Sequence, residues 1–326
     1  MCAPLPKNIS VFLPCYNQAH LVERQLDAVC AQGRYIHEFL LLDDGSDDNT
    51  YEIFCRYEDK YPFVRALKNN TNIGVERSCE RIFGEITGDF FVSLGADDCV
   101  FPGFFKDGLL AFKLFPNAAF SCGEIILKDA LTGEKIDTRL GLSDNLTYFS
   151  PEEIAEMTRV NRYLFPAGMS CMFRTLAIAE VGNFNPQVKP FGDVFALLSS
   201  GFRHGFCYSP LTRIEVSHSP TTWGQVQRND MEVVKKYARV MGELFLSDKF
   251  SDIRPLVARS GLLSHWPGML SLLAFNPRNW SMLSVPKWAT LILREAYCML
   301  PSVVRKRINS FRHQSKTILS HLTARS

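Results

Sequence analysis

Asp89-Phe-Phe-Val-Ser-Leu-Gly-Ala-Asp-Asp-Cys-Val-Phe-Pro102 contains a run, Phe90 to Leu94, that is apolar except for Ser93. The run reads as a buried strand. It gives way to Gly95-Ala96, and then two carboxylates, Asp97 and Asp98, arrive together. Adjacent like charges at a strand end cost free energy unless a cation or a ligand hydroxyl offsets them. A divalent ion with oxygen ligands, itself bound to a diphosphate, fits that need. A solvated Asp-Asp turn is the plainer alternative.

The segments around this stretch decide between the two. Asn8 to Pro14 reads as a short buried strand, and Gln18 to Gln32 as a helix with Leu21, Val22, Leu26, Val29 and Cys30 on one face. Glu38 to Leu42 is a second strand, running into Asp43-Asp44-Gly45-Ser46. A helix opens at Asp47-Asp48-Asn49-Thr50, where first-turn acids suit its dipole. Phe63 to Leu67 is a third strand, followed by helical Ser78 to Phe83. Such alternation implies right-handed βαβ units and a mostly parallel sheet, whose ligands sit outside the carboxyl ends of the strands. Cys15-Tyr16-Asn17, Asp43-Asp44 and Asp97-Asp98 each follow a strand's carboxyl end, so three polar clusters converge on one rim.

Further along, Phe120 to Leu127, Cys171 to Phe173 and Cys207 to Val216 read as strands. Thr175 to Val181 reads as a helix closed by Gly182, and Phe191 to Gly201 as a helix ended by Gly201. From about residue 230 the pattern is helical and amphipathic. The expected fold is α/β: a mixed, mostly parallel sheet flanked by helices over residues 1–228, then a helical, basic extension over 229–326.

The 326 residues are 46% hydrophobic and 21% charged, an ordinary globular balance. None of the ten cysteines stands in a CxxC spacing, which argues against a zinc site or a disulfide framework and for a reducing, cytoplasmic setting. Cys15, Cys30, Cys55 and Cys79 fall in apolar patterns and read as small core residues. Met-Cys-Ala-Pro-Leu-Pro-Lys at the N-terminus has no apolar core of a signal peptide, and no apolar run is long enough to span a bilayer. The net charge of +2 hides an asymmetry. Residues 253–326 hold eleven Lys/Arg and one acid, a net +10, whereas residues 1–252 hold 25 basic and 33 acidic residues, a net −8.

Val11-Phe-Leu-Pro-Cys-Tyr-Asn17, Leu40-Leu-Leu-Asp-Asp-Gly-Ser-Asp-Asp-Asn-Thr50, Asn72-Ile-Gly74 and Leu94-Gly-Ala-Asp-Asp98 resemble, in order and spacing, the family 2 glycosyltransferases. These are GT-A-fold enzymes that use nucleotide-diphosphate sugars. Val181-Gly-Asn-Phe-Asn185, Gly192-Asp193, Gly201 and Val216-Ser-His218 also look like that family. The resemblance covers roughly residues 8–225. It implies that Tyr16 lies against the nucleobase with Pro14 and Asn17 nearby. Asp44 would accept a hydrogen bond from the base, Asp97 would meet the ribose, and Asp98 would meet Mn²⁺ or Mg²⁺ with help from His218. Arg77 would face the diphosphate, and Asp193 would be the general base. Each residue has a plainer reading: core packing for Tyr16, turn or helix capping for Asp44, Asp47, Asp48 and Asp193, solvation for Arg77. The chain departs from the commoner family pattern at Gly95 and Gly192, where acids often stand.

The implied reaction is inverting transfer of a sugar from a nucleotide-diphosphate sugar, UDP by family frequency, to a hydroxyl of a glycan or polyprenyl-linked glycan, in surface polysaccharide or lipopolysaccharide assembly. A nucleotide-sugar-binding protein without transfer activity is the alternative from another class. A sugar nucleotidyltransferase ranks below both, because Pro14-Cys-Tyr-Asn17 is unlike a Gly-rich, basic phosphate loop. The extension's leucines, three tryptophans (Trp266, Trp280, Trp288) and eleven cations suit a helix lying on an anionic inner-leaflet surface. A helical cap on the domain and an oligomer interface are the competing readings. No nucleic-acid recognition motif accompanies the cations, so nucleic acid is not expected as a partner.

Overall fold

A computed structural model describes residues 8–138, 140–160, 166–219, 226–227, 229–267 and 269–274, with 288–289, 292–293, 296–297 and 300. The expected alternation is present. Strand β1 (Ile9–Cys15) leads to helix α1 (Ala19–Cys30), β2 (Ile36–Asp43) to α2 (Thr50–Lys60), and β3 (Val64–Lys68) to α3 (Val75–Phe83) before β4 (Phe90–Ser93). Then come β5 (Cys99–Val100), α4 (Phe104–Leu114), β6 (Phe120–Asp129), β7 (Lys135–Thr138), β8 (Thr147–Phe149) and α5 (Pro151–Arg159). β9 (Cys171–Arg174), α6 (Thr175–Val181), α7 (Gly192–His204) and β10 (Phe206–His218) complete the sheet region. Helices α8 (Met231–Leu246), α9 (Arg254–Ser260) and α10 (Met269–Ala274) follow.

The sheet order is β3-β2-β1-β4-β9-β6-β10-β5, with β7 beside β6 and β8 beside β10. β3, β2, β1 and β4 pair in parallel, as do β6 and β10, whereas β9 runs antiparallel between β4 and β6. The carboxyl ends of β1, β2 and β4 therefore share one rim, with the register Cys15↔Asp43 at its edge. Both faces of β1 and β2 are buried, Val11, Leu13, Phe39 and Leu41 on one side and Phe12, Leu40 and Leu42 on the other. That explains the near-continuous apolar runs rather than an alternating pattern.

Two local expectations change. Leu21 points outward at 41% exposure, and the buried face of α1 is completed by Gln25. The Gln25 Oε1 accepts the Val100 amide at 3.1 Å, and Gln32 Oε1 accepts the Gly103 amide at 3.0 Å, so α1 and the turn after it fasten the chain just beyond Asp98. Helix α7 does not stop at Gly201, which is buried inside it. It runs to His204 and ends at Gly205, where φ is +70° and a Cβ would lie 2.4 Å from the Phe149 carbonyl oxygen.

Residues 231–274 pack on the sheet-bearing body. Phe245 meets Phe195 and Phe250, while Ile253, Val257, Leu263 and Met269 are buried in the same cluster as Phe120 and Phe173. Arg203 on α7 donates to both carboxylate oxygens of Asp252, at 2.7 and 2.9 Å. Burial at this scale contributes about 25 cal/mol per Å² of apolar surface, so α8 to α10 stabilise the fold as a cap. Among the described residues no helix is long and apolar enough to cross a membrane. Trp223, Trp280 and most of 275–326 lie outside the described residues.

Candidate active site

Two adjoining cavities open at the rim. The first, about 470 Å³, is lined by Pro14, Tyr16, Asp44, Asn72, Gly74, Val75 and Glu76 among others. The second, about 300 Å³, runs from Ser93-Leu94-Gly95 past Gly168, Met169, Phe184 and Lys189 to Asp193. Pro14, Val75 and Glu76 line both, so the cavities meet at the end of β1 and the start of α3.

The first cavity is built by hydrogen bonds between loops. The Asn17 amide donates to Ser46 Oγ at 2.9 Å, and Asn17 Oδ1 accepts the Asp47 amide at 2.9 Å. Asn17 has φ +53°, a conformation asparagine tolerates. Asp48 Oδ2 accepts the Ala19 amide at 3.0 Å, a cap for α1 supplied from the next loop. Gly45, at φ +76°, would put a Cβ 2.6 Å from the Thr71 backbone, so only glycine lets these loops approach. Asp44, 3% exposed, accepts from Asn69 Nδ2 at 2.7 Å, the Ile73 amide at 3.0 Å and the Gly74 amide at 2.9 Å. It faces the cavity, yet its carboxylate already holds the Asn72-Ile73-Gly74 loop. Tyr16 is 42% exposed, leaving part of its ring open to a ligand.

Asp97 and Asp98 sit in the turn between β4 and β5. Asp98, 3% exposed, accepts the Gly95 amide at 3.2 Å and also the Ser217 amide. Burial first, and then the neighbouring Asp97 charge, push its carboxyl up to about 7 against these two hydrogen bonds. Burial likewise raises Asp97. Neither carboxylate forms an ion pair among the described residues. A Cβ on Gly95 would lie 2.9 Å from Asp98 Oδ2 and 3.0 Å from Asp97 Oδ1, so the two carboxylates occupy the space a side chain there would need. His218 ends β10 beside Ser217, in register with Asp129. Among the described residues no three or more His, Cys, Asp or Glu side chains gather as a ready metal cage.

Asp193 lies in the first turn of α7, its Oδ1 accepting the Val194 amide at 2.8 Å. It does not cap the helix, since the capping position belongs to Phe191. Its carboxylate rests against Gly168, where a Cβ would lie 2.8 Å from Oδ2. Arg77 is exposed on α3, apart from the residues that line either cavity. Glu76 beside it, and Val75, Gly168, Met169 and Lys189, are cavity residues that sequence reading passed over, and Phe184 of the Val181-Gly-Asn-Phe-Asn185 segment lines the second cavity as well. The position of Glu76 just after Asn72-Ile-Gly74 was the available signal. Cys79 also lines the second cavity, its thiol pushed up to about 12 by burial first and then by Glu76, Asp193 and Asp44, which leaves it unreactive.

The family described as “Glycosyl transferase family 2” matches residues 10–180. Over 98 residues the chain is 31% identical to the “Uncharacterized glycosyltransferase YibD” of Escherichia coli K12, covering 30% of this chain and 28% of that protein. It is 37% identical over 98 residues to an “Undecaprenyl-phosphate 4-deoxy-4-formamido-L-arabinose transferase” of Klebsiella pneumoniae, covering 29% of this chain and 30% of that one. The matched segment thus spans less than a third of these curated relatives. Among solved structures, S. aureus TarS 1–349 superposes with TM-score 0.58 at 16% identity, over 87% of this chain and 78% of that one. Longer S. aureus TarS gives 0.55 at 17%, over 86% and 47%. At such identity the likeness concerns the fold, here the GT-A architecture. The family match takes in more than half of the chain, including all three strand-end clusters, and the chain is a member of family 2 of the glycosyltransferases.

Proposed function

We propose that the chain moves a sugar, with inversion, from a nucleoside-diphosphate sugar, UDP by preference, to a hydroxyl of a glycan or lipid-linked glycan. The observation that carries this reading is the pair of joined cavities, one walled by Tyr16 and Asp44 and the other ending at Asp193. The nucleotide takes the first, with its base against Tyr16. The sugar lies in the second, between Gly95 and Asp193. The Asp193 carboxylate, held by Gly168 and the Val194 amide, takes the acceptor proton as the hydroxyl attacks the anomeric carbon. Displacement from that side opens the bond to the diphosphate on the other.

Asp98 suits a divalent cation, because it offers a buried carboxylate that forms no ion pair among the described residues, with a second carboxylate, Asp97, beside it. Asp98 and His218 would hold Mn²⁺ or Mg²⁺, whose charge would offset that building on the leaving diphosphate. The apolar stretch of the second cavity and the lipid-phosphate transferases among the relatives support a lipid-linked acceptor, met by an enzyme peripheral to the inner leaflet. Thermal-shift measurements with nucleoside diphosphates and their sugars, with and without Mn²⁺, test the donor reading. Metal-dependent stabilisation by one nucleotide is expected, and no stabilisation by any nucleotide would refute it.

A further inference from the structure

The turn that carries Asp97 and Asp98 hangs from a very short strand. β5 is Cys99 and Val100 alone, and it pairs with β10 at two positions, Glu215↔Cys99 and Ile214↔Val100. So short a pairing holds little by itself. From the α1 side Gln25 takes the Val100 amide, and the Phe101 amide adds a bond to the Arg213 carbonyl at 3.2 Å. On the β10 side the partner of Cys99 is an acid, Glu215, whose side chain is 1% exposed.

Three cations from three other elements reach that buried carboxylate. Arg24 Nη2 of α1 lies 2.6 Å from Oε1, Lys135 Nζ of β7 lies 2.5 Å from Oε2, and Lys128 Nζ of β6 lies 4.0 Å from Oε1. All three side chains are partly exposed, so each reaches inward from solvent to the same buried point. Burial opposes charge on Glu215, but the ion pairs to Lys135 and Arg24 outweigh it and hold its carboxyl below the usual range. One cation would neutralise one carboxylate. Three, on α1, β6 and β7, make Glu215 a junction that ties these elements to β10.

The junction adjoins the acid pair. Cys99 follows Asp98 directly, and two residues after Glu215 the Ser217 amide donates to Asp98. Glu215 itself stands apart from the residues that line either cavity. We propose that Glu215 is a positioning residue: with Arg24 and Lys135 it fixes the end of β10 against β5, so that the Ser217 amide is held on Asp98. Its consequence for nucleotide binding rests on the assignment of Asp98 to the metal.

Amide hydrogen exchange of the full chain, read residue by residue by NMR, tests the positioning. In Glu215→Gln the Ser217 amide should exchange roughly tenfold faster, as expected for the loss of one hydrogen bond. The Gly74 amide, held by Asp44, and the Phe39 amide, held by the Phe63 carbonyl, should keep their parental rates. Arg24→Gln and Lys135→Gln, at half-exposed positions, should each quicken Ser217 by a smaller factor, and Arg24→Lys, which keeps the charge, should stay close to the parental rate. Isothermal titration with UDP should show Mn²⁺-dependent affinity falling in the same order of variants, with affinity in the absence of Mn²⁺ unchanged. An unchanged Ser217 amide in all of the variants would overturn the proposal. So would equal quickening of Ser217, Gly74 and Phe39, which marks a general loss of stability, or a quickened Ser217 amide with full Mn²⁺-dependent affinity. A parental chain that binds UDP without regard to Mn²⁺ would overturn the metal assignment instead, and the Ser217 exchange would still decide the role of Glu215.

Discussion

Two strands of this sheet end in the same dipeptide, and the fold treats the two in opposite ways. At the end of β2, Asp43 accepts the Ser46 amide and lies 3.7 Å from Lys68 Nζ, while Asp44 accepts from three donors. At the end of β4, Asp97 and Asp98 form no ion pair among the described residues, and Asp98 has two backbone amides to set against burial. Asp44, satisfied within the chain, holds a loop in place, while the buried Asp43 Oδ2 has no hydrogen-bond donor among the described residues and only the Lys68 ammonium 3.7 Å away. Acids left short of partners retain the capacity to bind something else. Asp193 belongs with the second group, having the adjacent Val194 amide and an open cavity in front of it.

If that division is right, substitutions at the two ends should separate activity from stability. The largest effect is expected for Asp193→Asn, which should lower sugar transfer by roughly 10²- to 10⁴-fold with nucleotide binding and melting temperature unchanged. Transfer at the parental rate, measured by sugar incorporation, would remove Asp193 from the role of base. Next comes the matched pair. Asp98→Asn should weaken Mn²⁺-dependent nucleotide binding on the order of 100-fold and leave the fold intact. Asp44→Asn should instead cost about 2–3 kcal/mol of stability in denaturant melts, because it removes charge from three hydrogen bonds. Equal losses of stability in both variants would erase the contrast. Gly95→Asp sharpens it further. The added carboxylate would enter space already held by Asp97 and Asp98, so isothermal titration should find Mn²⁺ binding weakened rather than strengthened.

The strand ends were legible because the evidence for them is local. Apolar runs announce buried parallel strands, and acids that interrupt them mark the rim. What lay beyond reading depends on contacts distant in sequence. Gln25 and Gln32 look like solvent-facing helix residues until the chain after Asp98 folds against them. The main duty of Asp44 becomes visible only when Asn69, Ile73 and Gly74 arrive beside it. Gly201 and Gly205 are alike as letters, and only backbone geometry shows that the second ends α7. Lys189 and Gly168 join the wall near Asp193 through tertiary packing, with no periodic signal of their own. The Gly95 departure from the family pattern looked like a lost acid. In the structure it is the clearance that two neighbouring carboxylates require.

The smallest expected effect is a pH dependence that tests the same contrast without changing a side chain. Burial and the Asp97 charge keep a proton on Asp98 until about pH 7, and a divalent cation must compete with that proton. Mn²⁺-dependent nucleotide affinity should therefore rise as pH increases through about 7 and level off above it. Below that point it should fall by up to about tenfold per unit. The sign follows from the raised carboxyl: the cation binds the deprotonated form, so acid opposes it. Asp97→Asn removes the second cause of the elevation and should move the midpoint to lower pH, whereas Asp44→Asn should leave it in place. A midpoint that ignores Asp97 would remove the Asp97 charge as a cause of the raised Asp98 carboxyl and with it the coupling of the two acids at the end of β4.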